Sequence, residues 1–370
     1  MCVVIAPLYL AIALTSRPVA LADGRRFSLN VPAGYEIRVA AEGLRRARFM
    51  AMAPDGRLFV TDMYNRTDNK RGKVYVLDGF DRASGRFAKV TPYLANLRNP
   101  NSIAFHDGWL YLALTDRLVR YRYEAGAAAP SGEPEVLATF PDYGLDYKYG
   151  GWHLTRTIAI GPNDKLYVSV GSSCNACIEK EEVRATVMEM NLDGSEQRIF
   201  ARGLRNAVGL EFVGTTLFVT NMGADHLGDE APRDAMYALR DGANYGWPKC
   251  YVTKSSVRPD PRFDATPKEC SAAPRPLATF PAHASPLGLE SLGDGDFLVA
   301  LHGSSKKSLD HGYRVARVHD GVVEDFLTGF LKGTKIIGRP ADVLRLDDDS
   351  FFVTDDYAGV LYFVTKSPSQ

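Results

Sequence analysis

One pattern recurs six times along the 370-residue chain: a polar turn followed at once by a short apolar run. The copies place Asp55-Gly56 before Leu58-Phe59-Val60, Asp107-Gly108 before Leu110-Tyr111-Leu112, and Asn163-Asp164 before Leu166-Tyr167-Val168. The series continues with Gly214-Thr215 before Leu217-Phe218-Val219, Asp294-Gly295 before Phe297-Leu298-Val299, and Asp349-Ser350 before Phe351-Phe352-Val353. Most copies lie roughly 50 residues apart, the signature of one supersecondary unit repeated. Alternating apolar residues precede the turn at 49–52, 103–105, 158–160 and 343–346, so each copy reads as a β-hairpin. A third strand follows at 73–77, 117–121, 186–190, 314–318 and 360–364. Antiparallel units at this spacing close radially, which leaves only short protected edges. The expected fold is all-β, a six-bladed β-propeller spanning 23–370 as a single domain.

The spacing breaks once. Between the fourth and fifth blade hairpins about 25 extra residues intervene, from Asn244-Tyr245-Gly246-Trp247-Pro248 through Cys270. A long loop insertion of this kind is expected to cap the face that carries the site, or else to be a surface elaboration.

Composition excludes some partners. Formal net charge is zero and no basic cluster stands among aromatics, so the chain lacks the footprint of a nucleic-acid binder. Residues 1–22 read as a secretory leader, an apolar stretch ending in Ala20-Leu21-Ala22, although a basic start is missing. About 14 apolar residues are too few to span a bilayer, so no stable membrane insertion is expected after cleavage. The expected location is outside the cytoplasm, periplasmic or secreted. Export permits disulfides, and the four cysteines beyond the leader form two local pairs, Cys174/Cys177 and Cys250/Cys270. Cys174-Asn175-Ala176-Cys177 also has the spacing of a redox motif or a zinc half-site, but no second half-site and no haem-attachment histidine accompanies it. A structural bridge is expected there.

Four motifs together resemble the soluble quinoprotein glucose/sorbosone dehydrogenases, and most closely the sorbosone branch. They are Trp152-His153 with Ile160-Gly161-Pro162, the stretch Gly203-Leu204-Arg205-Asn206-Ala207-Val208-Gly209-Leu210, Asn244-Tyr245-Gly246-Trp247-Pro248, and Gly338-Arg339-Pro340. Leu301-His302-Gly303-Ser304 and Val353-Thr354-Asp355-Asp356-Tyr357 add support. The resemblance implies a six-bladed propeller carrying pyrroloquinoline quinone (PQQ) and Ca2+, which oxidises an aldose, aldosone or related sugar and passes electrons to a separate acceptor. His153 matches the family's catalytic base, and an imidazole titrating near working pH suits that task. As a plain residue it could equally cap a blade.

Arg205 and Asn206 precede the strand that opens the fourth blade. The resemblance makes Arg205 the group that orients the cofactor and stabilises developing oxyanion charge, with Asn206 alongside. A buried pair with Asp229 or Glu230 is the alternative for Arg205. Cofactor contacts are further expected from Trp152, Asn101, Arg339, Lys306 and Lys307, the two lysines being equally readable as a solvated pair. Calcium would rest on the carbonyls of Gly223 and Ala224, a hard ion on oxygen ligands. Where the glucose-oxidising branch has a second arginine, this chain has Ala341. Two other readings remain open on the same architecture: a calcium-dependent lactonase using Asn101, Asn206 and Asp229, and a non-enzymatic propeller binding glycan or protein.

Overall fold

A computed structural model describes residues 12–141, 152–306 and 308–367. Six four-stranded antiparallel sheets surround a central axis. Their innermost strands are Ala47–Met52, Ser102–His106, Arg156–Ile160, Ala207–Val213, Pro286–Gly293 and Pro340–Asp347, numbered here as blades one to six. Each recurring turn joins an innermost strand to the second strand of the same blade, as the hairpin pattern predicts. The ring closes between chain ends: Tyr35–Glu42 supplies the outer strand of blade six by pairing with Val360–Lys366.

The second strands are buried on both faces because they pack between neighbouring sheets; all of Leu58–Asp62 and Trp109–Ala113 is buried. Apolar clusters fill every seam between adjacent blades. A recurring tripeptide then locks the seams. Val60-Thr61-Asp62, Val219-Thr220-Asn221 and Val353-Thr354-Asp355 end three of the second strands. In each, the threonine hydroxyl donates to a carbonyl of the next blade, at Asn101 (2.7 Å), Leu287 (2.7 Å) and Arg48 (2.7 Å). The following Asp or Asn side chain accepts backbone N–H groups from the loop leading into its own blade's inner strand, those of Arg45 and Arg46, of Asn206, and of Arg339. These buried loops thus have their donors satisfied by side chains instead of water. That fixes one face of the propeller, the face where the candidate residues emerge.

The insertion lies inside blade four, between its third strand Asp234–Ala238 and its outer strand Ala278–Phe280. It holds a short hairpin, Cys250–Val252 with Val257–Pro259, and the helix Pro267–Ala272. Thr266 caps that helix in a capping box with Glu269, and Cys250 is bonded to Cys270. No helix among the described residues is long and apolar enough to cross a membrane.

The amino-terminal segment carries a strand within the stretch read as a leader. Leu14–Ala20, inside the stretch read as a leader ending at Ala22, forms a strand paired along its length with Arg26–Pro32. Val19 and Leu21 are buried with Leu29 and Val31 against blades five and six. Apolar residues that would serve a leader serve equally to cover a seam, and cleavage after Ala22 would remove this strand.

Candidate active site

On the face set by the threonine-anchored loops, a cavity of about 340 Å3 opens at the central axis. Trp152 and His153 line it from blade three, Arg205, Asn206 and Gly223 from blade four, His283 and His302 from blade five, and Arg48 and Arg66 from blade one. Its floor is apolar: Val208 and Leu287 sit with Phe49 and Ala341 in one small cluster. Ala341 is fully buried there, so an arginine at this position would put a charge into the plug. A wider cavity of about 790 Å3 lies at the outer end of blade four against the Cys250–Cys270 bridge, and none of its lining residues is a histidine.

The structure brings five of the expected residues together and separates the others. Trp152, His153, Arg205, Asn206 and Gly223 face one another across the cavity. Arg339 is buried behind the wall, where its guanidinium donates to the carbonyls of Gly303 (2.6 Å) and Ser304 (2.8 Å) and lies over the ring of Tyr313. Ala224 is also buried behind the wall. Asn101 does not reach the cavity: it accepts from Arg48 (3.0 Å) and donates to the Arg156 carbonyl (3.2 Å) and to the Thr157 hydroxyl (3.2 Å), joining three blades. Lys306 pairs with Asp229 at 2.8 Å on the exposed rim. Lys307 and the Gly150-Gly151 pair lie outside the described residues.

His153 sits in the left-handed region (φ 48°) ahead of its strand. Its Nδ1 lies 2.9 Å from the Ser172 carbonyl oxygen. A carbonyl can only accept, so Nδ1 carries the proton and Nε2 keeps its lone pair. Burial, and then the nearby Arg205, hold its pKa well below the ordinary histidine value, so the neutral form prevails at neutral pH. Gly171 lets the ring sit here: a Cβ at that position would come within 2.5 Å of both the His153 Cβ and the Asn206 Oδ1.

Arg205 is buried and fully engaged. Its Nε donates to the Asn175 carbonyl (2.8 Å) and its Nη1 to the Gly223 carbonyl (2.8 Å). Its Nη2 reaches Asn175 Oδ1 (2.9 Å) and Asp225 Oδ2 (3.2 Å). The ion-pair partner is therefore Asp225, not Asp229 or Glu230. The Gly223 carbonyl accepts this one hydrogen bond and keeps a second lone pair. Asn206 donates to the Met222 sulfur, and its Oδ1 is a buried acceptor with no partner among the described residues.

The other wall carries two of the supporting motifs, those of His302 and Asp356, to which the sequence assigned no role. Asp356, completely buried, accepts from Arg48 (3.0 Å) and His302 (2.8 Å) and pairs with Arg46 (3.2 Å). Burial alone would raise its pKa, but these three groups outweigh it and hold the carboxylate well below its usual range. His302 is driven down to about 4, mainly by burial, with Arg339 and Arg48 adding to the effect against Asp356. Asp234 is pushed up to about 7 by burial, despite accepting from the Gly223 and Ser285 N–H groups. The balance around the cavity is cationic: Arg48, Arg66 and Arg205 on its wall with Arg46 and Arg339 behind, against Asp356, Asp225 and the part-ionised Asp234. His283, bonded to Asp225 (3.0 Å) and the Gly228 carbonyl (2.7 Å), braces the blade-four side.

These features define a six-bladed propeller with a basic, aromatic-rimmed cavity at its axis and, among the described residues, one imidazole nitrogen in it without a partner. The chain belongs to the TrAA12-like family, whose sequence model matches residues 29–325. The comparisons do not place it in the sorbosone branch. An uncharacterised protein of Borreliella burgdorferi is 26% identical, with 91% of this chain and 90% of that protein covered. Among solved structures, the PQQ domain of pyranose dehydrogenase from Coprinopsis cinerea, in its holo form, is similar at 20% identity and TM-score 0.76, covering 92% of this chain and 98% of that one. A calcium structure of the family AA12 enzyme from Trichoderma reesei gives 18% identity and TM-score 0.79 over 97% of this chain and 99% of that one. The soluble aldose sugar dehydrogenase of Escherichia coli, in apo form, gives 12% and 0.64 over 90% and 99%. At these identities the structural likenesses establish the fold.

Proposed function

We propose that this protein is a PQQ-dependent sugar dehydrogenase with His153 as its base. The observation that carries the reading is the pairing of a neutral, Nδ1-anchored imidazole with a surplus of guanidinium groups around one cavity. PQQ is a flat tricarboxylate, and Arg48, Arg66 and Arg205 are placed to meet its negative charge, with Trp152 offering an exposed aromatic face at the rim. The names of the similar structures support the same class. When bound, the quinone supplies the hydride acceptor, chemistry no side chain provides.

The remaining steps belong to the chain's own residues. The Nε2 of His153 takes the proton of the sugar hydroxyl, and the Ser172 carbonyl fixes the tautomer that makes this possible. Arg205, held on four acceptors, presents a rigid positive charge beside the base and favours developing negative charge on oxygen without reorganising. The buried floor of Val208 and Leu287 excludes water beneath the reacting groups. The substrate is an aldose, aldosone or related pyranose. Electrons leave to a separate acceptor, because the chain has no haem-attachment motif. Two disulfides support an exported location, and amino-terminal sequencing of the exported protein would say whether Leu14–Ala20 is retained.

Calcium is part of the proposal, and the carbonyls of Gly223 and Ala224 would hold it: the Arg205 guanidinium uses one lone pair of the Gly223 oxygen and leaves the other. The lactonase reading finds Asn101 in a seam and Asp229 in a rim ion pair, so two of its three ligands do not converge. The test is titration of purified, calcium-loaded protein with PQQ, followed by dye reduction with a panel of aldoses, aldosones and pyranoses. Micromolar binding with sugar-dependent reduction is expected; absence of binding overturns the proposal.

A further inference from the structure

Both groups at the centre of the proposed chemistry are held by one short stretch of blade three. Ser172 accepts from His153 Nδ1 through its carbonyl (2.9 Å), and its own N–H donates to the Arg205 carbonyl (2.8 Å). Three residues on, Asn175 supplies two of the four acceptors around the Arg205 guanidinium. The same Asn175 Oδ1 also accepts from the Asp225 N–H (2.8 Å), so it aligns the carboxylate that pairs with Arg205. Between these residues the Ser172 hydroxyl donates to the Cys174 carbonyl (2.6 Å), and Cys174 is bonded to Cys177. No strand runs through residues 171–185. Local links replace the missing ladder: the disulfide, and Glu179, which accepts from the N–H (2.7 Å) and hydroxyl (2.6 Å) of Ser173.

We infer that Asn175 is a positioning residue that sets the distance and angle between His153 and Arg205, and that the Cys174–Cys177 bridge is the brace that keeps it there. The inference rests on the quinoprotein reading for its kinetic consequence. Its structural content stands on the hydrogen bonds alone. The bridge expected to be structural thus has a specific task, the rigid frame of a catalytic pair. An adaptable guanidinium would have to be ordered in each turnover, whereas one already held on fixed acceptors does not.

The chemistry of Asn175 supplies a discriminating test, since both contacts of its side chain use only the carbonyl oxygen. Asn175→Asp keeps those acceptors, while Asn175→Leu keeps the size and removes them. The Cys174→Ser/Cys177→Ser pair removes the brace and leaves Asn175 intact. For each, kcat and KM for the best sugar are measured with quinone-loaded protein, and quinone affinity is read separately from quenching of tryptophan fluorescence, with Trp152→Phe identifying the reporter. Asn175→Leu is expected to lose about tenfold or more in kcat and to bind quinone more weakly, with KM for sugar little changed. Asn175→Asp should recover most of both losses, and the double serine variant should fall between. Wild-type protein that binds no quinone overturns the functional reading itself. Wild-type protein that binds and turns over, with Asn175→Leu matching it in kcat and quinone affinity, overturns the inference and leaves the reading standing. Equal losses in the Leu and Asp variants overturn it as well, because they would show that the acceptor oxygen is not what matters.

Discussion

His153 and His302 line one cavity from different walls, and burial depresses both below the ordinary histidine value. Their second nitrogens differ. Nε2 of His302 donates to Asp356 (2.8 Å), and its Nδ1 faces the Arg339 guanidinium at 3.5 Å, so both ring atoms are committed to the wall. His153 commits only Nδ1, to a carbonyl that cannot take a proton under working conditions, and its Nε2 is left for a substrate. The blade-five wall, with Arg46, Arg48 and His302 on one buried carboxylate, is a charged scaffold. The blade-three wall, anchored on main-chain oxygens, is the one proposed to react. A histidine's role in this site is decided by what holds its other nitrogen, not by its exposure or its pKa.

The largest expected effect separates the two histidines. His153→Ala should lower kcat by about 10^3-fold, within the range for losing a general base, with quinone affinity changed only severalfold. His302→Ala should act on melting temperature and quinone affinity, with much less effect on kcat; equal losses of kcat would break the comparison. Next, Arg205→Ala should cost about 10^2-fold in kcat, as removal of one preorganised donor does, measured at saturating quinone.

The scaffold wall is tested by stability. Asp356→Ala leaves Arg48, His302 and Arg46 without their carboxylate, and denaturant unfolding should show a loss of about 3–5 kcal/mol, as for a buried pair deprived of one partner. Lys306→Ala on the rim should cost less than about 1 kcal/mol, because that ion pair is exposed.

The pH dependences run in the same direction on the two walls but appear in different readouts. His153 acts as base only when neutral, so kcat/KM should be flat above its lowered pKa and fall as pH drops through it, with an acid limb below 6.5. Arg205→Ala removes one of the charges that depress it and should move that limb upward. His302, at about 4 when folded, stays neutral while the unfolded chain takes up a proton below 6.5. Stability should therefore decline as pH falls from about 6.5 to about 4, and His302→Ala should flatten that part of the curve.

Much of this was legible in the sequence because propeller repeats write their hairpins locally. The six turns, the seam between chain ends excepted, can be read from short windows. His153, Arg205 and Trp152 were found because they precede inner strands within recognisable motifs. Asn101 occupies the same kind of position yet points into a seam, a choice made by neighbouring blades that no local window contains. Asp356 and its arginines come from blades one and six, more than 300 residues apart in sequence, and pair only when the ring closes. One usable signal was present: Val-Thr-Asp at 60–62 and 353–355, with Val219-Thr220-Asn221, marks the ends of second strands that anchor the site loops. The amino-terminal strand stays open to two readings because an apolar segment suits a leader and a seam cover alike.

The most direct test of the central claim is a single-turnover experiment. Quinone-saturated wild type and His153→Ala are mixed rapidly with excess sugar, and quinone reduction is followed by absorbance from pH 5 to 9. We expect rapid reduction in the wild type with an acid limb below 6.5, and reduction about 10^3-fold slower without that limb in the variant. Equal rates and pH profiles in the two proteins would contradict the assignment of His153 as the base.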